Sequence, residues 1–171
     1  MPQTSEYRDY CYVLDVLSSG DTKQFEELAQ LVDGFPNGVD GFVGRRWVTN
    51  AIDCCSRASI EWMLSKKVDL SFRDDEGYTV LHSALERDLP EKYEILESLL
   101  IHGAPVNAHG INDWTPTHMA AARNDVAALR LLIRFGADLT IRTHIDDCAT
   151  PLEEARIMKQ RQAVEFLESV A

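Results

Sequence analysis

Apolar residues recur at helical spacing in paired segments, and the clearest pair lies between residues 116 and 135. Its second member, from 126 to about 135, places four apolar side chains on one face at intervals of one, three and four: Val126, Leu129, Leu132 and Ile133. Its first member runs from 116 to about 123 and turns Met119 and Ala120 inward. The pattern predicts two short helices joined by a polar turn, with Leu132 and Ile133 buried between them and their neighbours.

The same paired pattern precedes and follows this segment. One pair is predicted over 47–55 and 58–66, with three buried side chains: Ile60, Met63 and Leu64. Near the start, a helix over 10–17 is followed by a second apolar stripe: Phe25, Leu28, Leu31 and Val32. Near the end, residues 150–169 turn four side chains inward: Ala155, Val164, Phe166 and Leu167. Helix pairs along the whole chain predict an all-α fold.

Two short motifs repeat in register with the helix pairs. The segment TPTHMAA at 115–121 is echoed by TVLHSA at 79–84 and by TPLEEA at 150–155. A second motif ends in glycine, and Gly103 and Gly136 lie 33 residues apart. The distance from Gly103 to Thr115 is 12 residues, and Lys67, which stands in a glycine position, precedes Thr79 by the same 12. An internal repeat of about 33 residues is therefore predicted.

These residues and spacings resemble the ankyrin repeat, a unit of about 33 residues with a T-P-L-H signature. The resemblance implies an ankyrin-repeat solenoid, in which helix–turn–helix units are stacked and linked by short β-turn or hairpin fingers. It divides one domain, 1–171, into five parts: a capping helix pair at 1–40, a degenerate repeat at 41–73, a repeat with a three-residue insertion near 87–91 at 74–109, the best match at 110–144, and a capping repeat at 145–171. Two finger positions depart from the family, because Asp113 and Cys148 replace glycine.

Composition and charge narrow the class of partner. The 171 residues carry a formal net charge of −11 with a pI near 4.8, which disfavours nucleic acid and anionic membranes as partners and favours a protein with a basic surface. No apolar run is long enough for a membrane helix, and no secretory signal is expected. Four cysteines without a framework spacing indicate reduced thiols, so we expect a cytoplasmic protein that is monomeric on its own.

The histidines invite a metal or catalytic interpretation, which the spacing does not favour. The resemblance gives His82 and His118 a structural role, in which each ring ties a finger to a helix. His109 and His144 fall in fingers and are expected to be solvated. Neither C-x-x-C nor H-E-x-x-H spacing occurs, and nucleotide-binding and hydrolase motifs are missing. We therefore expect no metal, no cofactor and no enzymatic activity.

The resemblance places a partner-binding surface on the finger tips and on exposed positions of each first helix. The corresponding residues are Phe42, Arg45, Asp75, Glu76, Tyr78, Glu86, Arg87, Ile111, Asn112, Trp114, Arg123, Asp146 and Asp147. Tyr78 and Trp114 occupy equivalent tip positions, where an aromatic ring can anchor a partner or can pack on the next finger.

The expected function is non-catalytic binding of another protein. Small acidic chains of this kind resemble bacterial ankyrin proteins, some of which act as inhibitors or immunity proteins. A structural or regulatory subunit of a larger assembly is the alternative, and an enzyme with an unrecognised site is the third possibility.

Overall fold

The computed structural model describes residues 5–54, 56–87, 91–145 and 148–170. Ten α-helices and one short 3₁₀ helix account for the regular structure of these residues, together with a single isolated β-bridge between Val39 and Arg46. The predicted all-α fold is confirmed. The chain forms two compact units, Met1–Leu70 and Ser71–Ala171, and each has its own core.

The first unit contains two helix pairs. Its helices are α1 (Ser5–Ser19), α2 (Thr22–Leu31), α3 (Trp47–Cys54) and α4 (Arg57–Ser65). Helices α1 and α3 pack together, as do α2 and α4. The largest fully buried side chains are Leu17, Phe25, Leu28, Ile52, Ile60 and Met63. The predicted buried stripe of α2 is wrong at its end, since Leu31 is 74% exposed. Leu31 is the last residue of α2, and only Phe25 and Leu28 of this helix are buried.

The second unit contains three helix pairs. They are α5 (Val80–Glu86) with α6 (Lys92–Ile101), α7 (Pro116–Ala122) with α8 (Val126–Arg134), and α9 (Pro151–Ile157) with α10 (Arg161–Val170). First helices pack on first helices, and second helices on second helices, so the pairs are stacked. The connection from α5 to α6 is residues 87–91, whereas 123–125 suffice between α7 and α8; residues 88–90 lie outside the described part of the chain.

A threonine begins each first helix of this unit. The side chains of Thr79, Thr115 and Thr150 accept hydrogen bonds from the backbone N–H three residues later, which satisfies a donor that the helix leaves unpaired. Pro116 and Pro151 occupy the first helical position, where a missing N–H costs nothing.

The buried face of the second helix in a pair, α8 or α10, is narrower than the sequence predicts. Leu129, Leu132 and Leu167 are fully buried, as expected. Four residues predicted inside are only half-buried: Val126, Ile133, Val164 and Phe166. They lie at the margin of the apolar face, where the neighbouring helix does not cover them completely; the guanidinium of Arg130 lies 4.5 Å from the Phe166 ring centroid.

Positive φ angles end several helices. Gly103 and Gly136 adopt φ of 88° and 86°, the left-handed conformation that stops an α-helix with little cost. Lys67 occupies the corresponding place after α4 with φ 57°, although its Cβ makes this conformation unfavourable. The sequence spacing that aligned Lys67 with the glycines thus corresponds to a shared backbone conformation.

Candidate functional site

Two consecutive fingers of the second unit have the same hydrogen-bonded frame. The backbone N–H of Asp74 donates to the carbonyl of Tyr78 at 2.9 Å, and that of Gly110 donates to Trp114 at 2.7 Å. Tyr78 and Trp114 are therefore equivalent, as predicted. In the next finger the corresponding bond joins Thr143 to Ala149 at 3.1 Å and encloses two additional residues.

The residue before the end of each finger has positive φ. Gly77 has φ 90°, while Asp113 and Cys148, which replace glycine, have φ 56° and 47°. The left-handed turn is thus retained where the sequence departs from the family, at a cost that glycine would avoid.

Histidines connect each helix pair to the finger that follows. Nε2 of His82 lies 3.1 Å from the Trp114 carbonyl, and Nε2 of His118 lies 3.0 Å from the Ala149 carbonyl. A carbonyl oxygen can only accept, so Nε2 carries the proton in both rings. Nδ1 then accepts from the hydroxyl of the helix-capping threonine, Thr79 or Thr115. The predicted structural role of both histidines is confirmed.

Burial keeps these two rings neutral. It lowers the pKa of His82 from 6.5 to about 4, because the apolar surroundings disfavour the charged imidazolium, and it lowers the pKa of His118 in the same way. Both side chains are fully inaccessible to solvent, which makes them unsuitable as contact residues for a partner.

The two finger aromatics are half-buried, so each side chain is in part accessible to a partner. The Tyr78 hydroxyl donates to Glu86 Oε1 at 3.1 Å, and Arg123 Nη2 donates to the same oxygen at 2.7 Å. Burial, followed by the neighbouring Glu86 carboxylate, raises the pKa of the Tyr78 hydroxyl. A finger tip and two first helices are thereby joined by one polar network of predicted site residues.

The acidic tip residues are open to solvent. Asp75 and Glu76 are exposed on the turn that precedes Tyr78, and Asn112 is exposed on the next finger, beside a half-buried Ile111. Asp146 and Asp147, which the sequence assigns to the same surface, lie outside the described residues.

Arg87 differs from the prediction, since its side chain is only 9% exposed. Its Nε and Nη1 atoms are buried without a hydrogen-bond partner in the described part of the chain. Together with Lys92 and Asp125 it lines an open groove of about 700 Å³. The prediction placed Arg87 on the helix, but α5 ends at Glu86 and Arg87 has an extended backbone.

The first unit holds the two remaining site residues. Phe42 is 48% exposed and contacts the rings of Tyr7 and Tyr10, at centroid distances of 4.9 and 5.5 Å. Arg45 pairs with Asp53 at 2.5 Å, a half-exposed ion pair worth little to stability. Both remain accessible in part, as a contact residue must be.

Asp40 fixes the backbone of this finger, although it is not among the site residues predicted from the sequence. Its carboxylate is 1% exposed and accepts hydrogen bonds from the backbone N–H groups of Phe42 and Arg45, each at 3.0 Å, and from the two residues between them. Burial alone would raise its pKa, but these bonds and one from the Asn50 side chain lower it. The signal was an aspartate directly before a glycine-containing turn.

Two histidines and an aspartate meet between the third and fourth fingers of the chain, which are residues 110–114 and 143–149. His109 Nδ1 lies 3.1 Å from Asp113 Oδ1, and His144 Nδ1 lies 2.9 Å from Asp113 Oδ2. The imidazole centroids are 5.2 Å apart. The ligand atoms of all three residues lie within 4.8 Å of one another, a donor set able to hold a metal ion. His144 is exposed to solvent, as expected, whereas His109 is half-buried, and both rings contact Asp113 in addition.

The family comparison agrees with this architecture. Residues 89–169 match the sequence model of the family described as ankyrin repeats, three copies. With the repeated helix pairs, fingers and bridging histidines, this shows that the chain contains ankyrin repeats over these residues. Ankyrin repeats are protein-interaction modules whose stacked units present an extended binding surface.

Curated relatives carry the same repeats in different settings. The chain is 36% identical over 92 residues to human BCL-6 corepressor-like protein 1, and 37% identical over 86 residues to mouse RelA-associated inhibitor. It is 28% identical over 100 residues to a putative ankyrin repeat protein of Rickettsia felis. These matches cover 54%, 50% and 58% of this chain but only 5%, 10% and 26% of the relatives.

Among the described residues, no helix is long and apolar enough to span a membrane.

Proposed function

We propose that this chain is a non-catalytic module that binds another protein through its finger tips and first helices. The observation that carries the proposal is the equivalence of Tyr78 and Trp114, two half-exposed aromatic rings held in one backbone frame on consecutive fingers. Tyrosine and tryptophan are enriched among residues that dominate binding energy, because they bury a large area with few rotatable bonds.

The backbone around these rings is fixed before a partner arrives. Buried His82 ties the Trp114 finger to the preceding helix pair, and Glu86 accepts a hydrogen bond from the Tyr78 hydroxyl. A surface that is ordered in advance loses less conformational entropy on binding, which favours affinity. This arrangement supports recognition of a folded partner by the finger surface.

Charge favours a partner with a basic surface. The chain carries a formal net charge of −11, and exposed Asp75 and Glu76 flank Tyr78 on the same finger. Complementary charge accelerates encounter more than it strengthens the final complex. The proposed surface therefore has an aromatic centre and an acidic margin.

Inhibition of the partner, in the manner of an immunity protein, is the specific role proposed first. One relative is named RelA-associated inhibitor, and this chain matches it over 86 residues. The second proposed role is a regulatory or structural subunit of a larger assembly. The relative named BCL-6 corepressor-like protein 1 supports this alternative. The two differ in whether the partner is active when bound.

The test compares matched baits in an extract of the native host. Wild type, Trp114→Ala and Arg161→Ala chains are immobilised, and captured proteins are quantified by mass spectrometry. Arg161 is highly exposed on α10, away from the fingers, and serves as the surface control. A specific partner should be retained by wild type and Arg161→Ala and depleted on Trp114→Ala.

A purified partner then separates the two roles. Loss of its activity in a complex of fixed stoichiometry supports inhibition, whereas activity that requires the complex supports a subunit. Retention of every captured protein by Trp114→Ala would show that the finger surface is not the binding site.

A further inference from the structure

We propose that His109, Asp113 and His144 form a binding site for one Zn²⁺ ion, which would join two consecutive fingers of the second unit. The site goes beyond protein binding and differs from the expectation, drawn from local spacing, that the chain holds no metal. Its residues come from two fingers, 31 residues apart between Asp113 and His144, so no short motif could reveal it.

The distances suit a small tetrahedral ion. Zn²⁺ binds imidazole nitrogen and carboxylate oxygen at about 2.0–2.2 Å, so tetrahedral ligand atoms lie about 3.3–3.5 Å apart. The two nitrogen–oxygen distances to Asp113 are 3.1 and 2.9 Å, and no pair among the three ligand atoms exceeds 4.8 Å. Small rotations of the imidazoles are sufficient to centre an ion.

The backbone already holds the three groups in place. Asp113 keeps its left-handed conformation, and its Oδ2 atom accepts a hydrogen bond from the backbone N–H of His144. His109 Nδ1 also donates to the Asp113 carbonyl at 2.9 Å, so binding of Zn²⁺ at this nitrogen requires its proton to move to Nε2. A site that is assembled before the ion arrives requires little ordering on binding, which favours affinity.

The donor set selects the class of ion. Two imidazoles and one carboxylate suit Zn²⁺ and neighbouring transition metals, whereas Mg²⁺ and Ca²⁺ prefer oxygen ligands alone. Three protein ligands leave a fourth position for water, which His144, with its side chain 78% exposed, leaves accessible. Without an ion, the same atoms form hydrogen bonds between the Asp113 carboxylate and the two imidazoles, and this is the competing interpretation.

Calorimetry on the full chain tests the site directly. The chain is stripped with chelator, dialysed and titrated with ZnCl₂, and then separately with MgCl₂. Wild type should bind one Zn²⁺ per chain, and Mg²⁺ should give no comparable binding. His144→Ala and Asp113→Asn should each weaken Zn²⁺ binding at least about tenfold, since each removes or neutralises a ligand.

Two matched variants control for other donors. His102→Ala removes an exposed histidine outside the cluster, and Cys148→Ser removes an exposed thiol on the fourth finger. Both should bind Zn²⁺ as wild type does. Replacing Zn²⁺ by Co²⁺ should give the visible absorption of a tetrahedral ion in wild type and lose it in His144→Ala.

Several outcomes would overturn the site. Wild type that binds less than stoichiometric Zn²⁺ at micromolar concentration supports the hydrogen-bonded cluster alone. Equal binding by wild type, His144→Ala and Asp113→Asn, or loss in His102→Ala or Cys148→Ser instead, would place the ion elsewhere. Circular dichroism of each variant distinguishes loss of a ligand from loss of the fold.

Discussion

The imidazole of His82 lies directly against Gly110, so closely that a Cβ on Gly110 would come within 2.4 Å of His82 Cε1. Glycine is required here by contact and not by its φ angle, which is −132°. Gly110 also begins the finger whose far end, the Trp114 carbonyl, accepts the His82 hydrogen bond. A missing side chain on one repeat therefore makes room for the signature histidine of the repeat before it.

Gly110→Ala should destabilise the protein by about 2 kcal/mol or more. The new methyl group would displace the buried His82 ring and break its bond to Trp114, so overpacking and a lost hydrogen bond both contribute. Urea denaturation measures the change. Gly41→Ala is the control, because its added Cβ meets only Glu6 Cγ, at 4.0 Å. Equal effects of the two substitutions would contradict the proposed contact.

Acid should destabilise the fold partly through His82. Its pKa is 6.5 in the unfolded chain and about 4 in the folded one, so the unfolded chain binds the proton first as pH falls. The contribution of neutral His82 to the free energy of unfolding is fully present above pH 6.5. It decreases by about 3 kcal/mol as pH falls toward 4. His82→Gln should be less stable at pH 7 but should lose less stability between pH 7 and pH 4.5. An equal loss in both proteins would show that other groups account for the acid sensitivity.

Lys67→Gly should stabilise the protein, by about 0.5–1 kcal/mol. Lys67 has φ 57°, where a Cβ costs about 1–2 kcal/mol, and the greater freedom of glycine in the unfolded chain offsets part of the gain. Thermal or urea denaturation should show a higher midpoint. The converse change, Gly136→Lys at φ 86°, should lower it. A lower midpoint for Lys67→Gly would mean that the lysine side chain makes a contact worth more than the backbone cost.

Leu132→Ala should cost about 2–5 kcal/mol, because Leu132 is fully buried and its truncation leaves a cavity. Ile133→Ala, at the adjacent half-buried position, should cost distinctly less. The difference between the two losses of stability shows how strongly burial differs between these adjacent positions of α8. Similar losses of stability would show that both residues belong to the core.

Trp114→Ala should weaken binding of the proposed protein partner by roughly 2 kcal/mol, mainly through faster dissociation. Neutralising Asp75 and Glu76 together should instead slow association and flatten its dependence on salt, because exposed charges steer the encounter. Surface plasmon resonance separates the two rates. Arg161→Ala should change neither the association rate nor the dissociation rate. A larger effect of Arg161→Ala than of Trp114→Ala would place the partner on the surface that includes α10.

Features that depend on neighbouring residues were predictable from the sequence. The start of α7 follows from Thr115 and Pro116, which cap and begin a helix through local chemistry. The equivalence of Tyr78 and Trp114 follows from the repeat spacing, which also sets the backbone frame. Leu132 is buried because it lies at the centre of its helix face.

Features that depend on packing between distant parts of the chain could not be predicted from the sequence. Ile133 lies at the margin of the same face, and only the adjacent helix decides how far it is covered. The cluster of His109, Asp113 and His144 depends on the register of two fingers and on an insertion in the second. Arg87 follows the last residue of α5 by one position, a difference too small for periodicity to detect.

The histidine bonds give the repeat array a direction. Each ring is fixed by its own threonine and reaches forward to the next finger, whereas Glu153, in the same place on α9, bonds back to Thr150 and pairs with Arg142. Deleting the end of the chain after residue 144 would remove both the Ala149 carbonyl that accepts from His118 and helix α9, which packs on α7. Shortening the array from its two ends is therefore not equivalent, since each cut at the carboxyl side exposes a buried donor that the residues removed had satisfied.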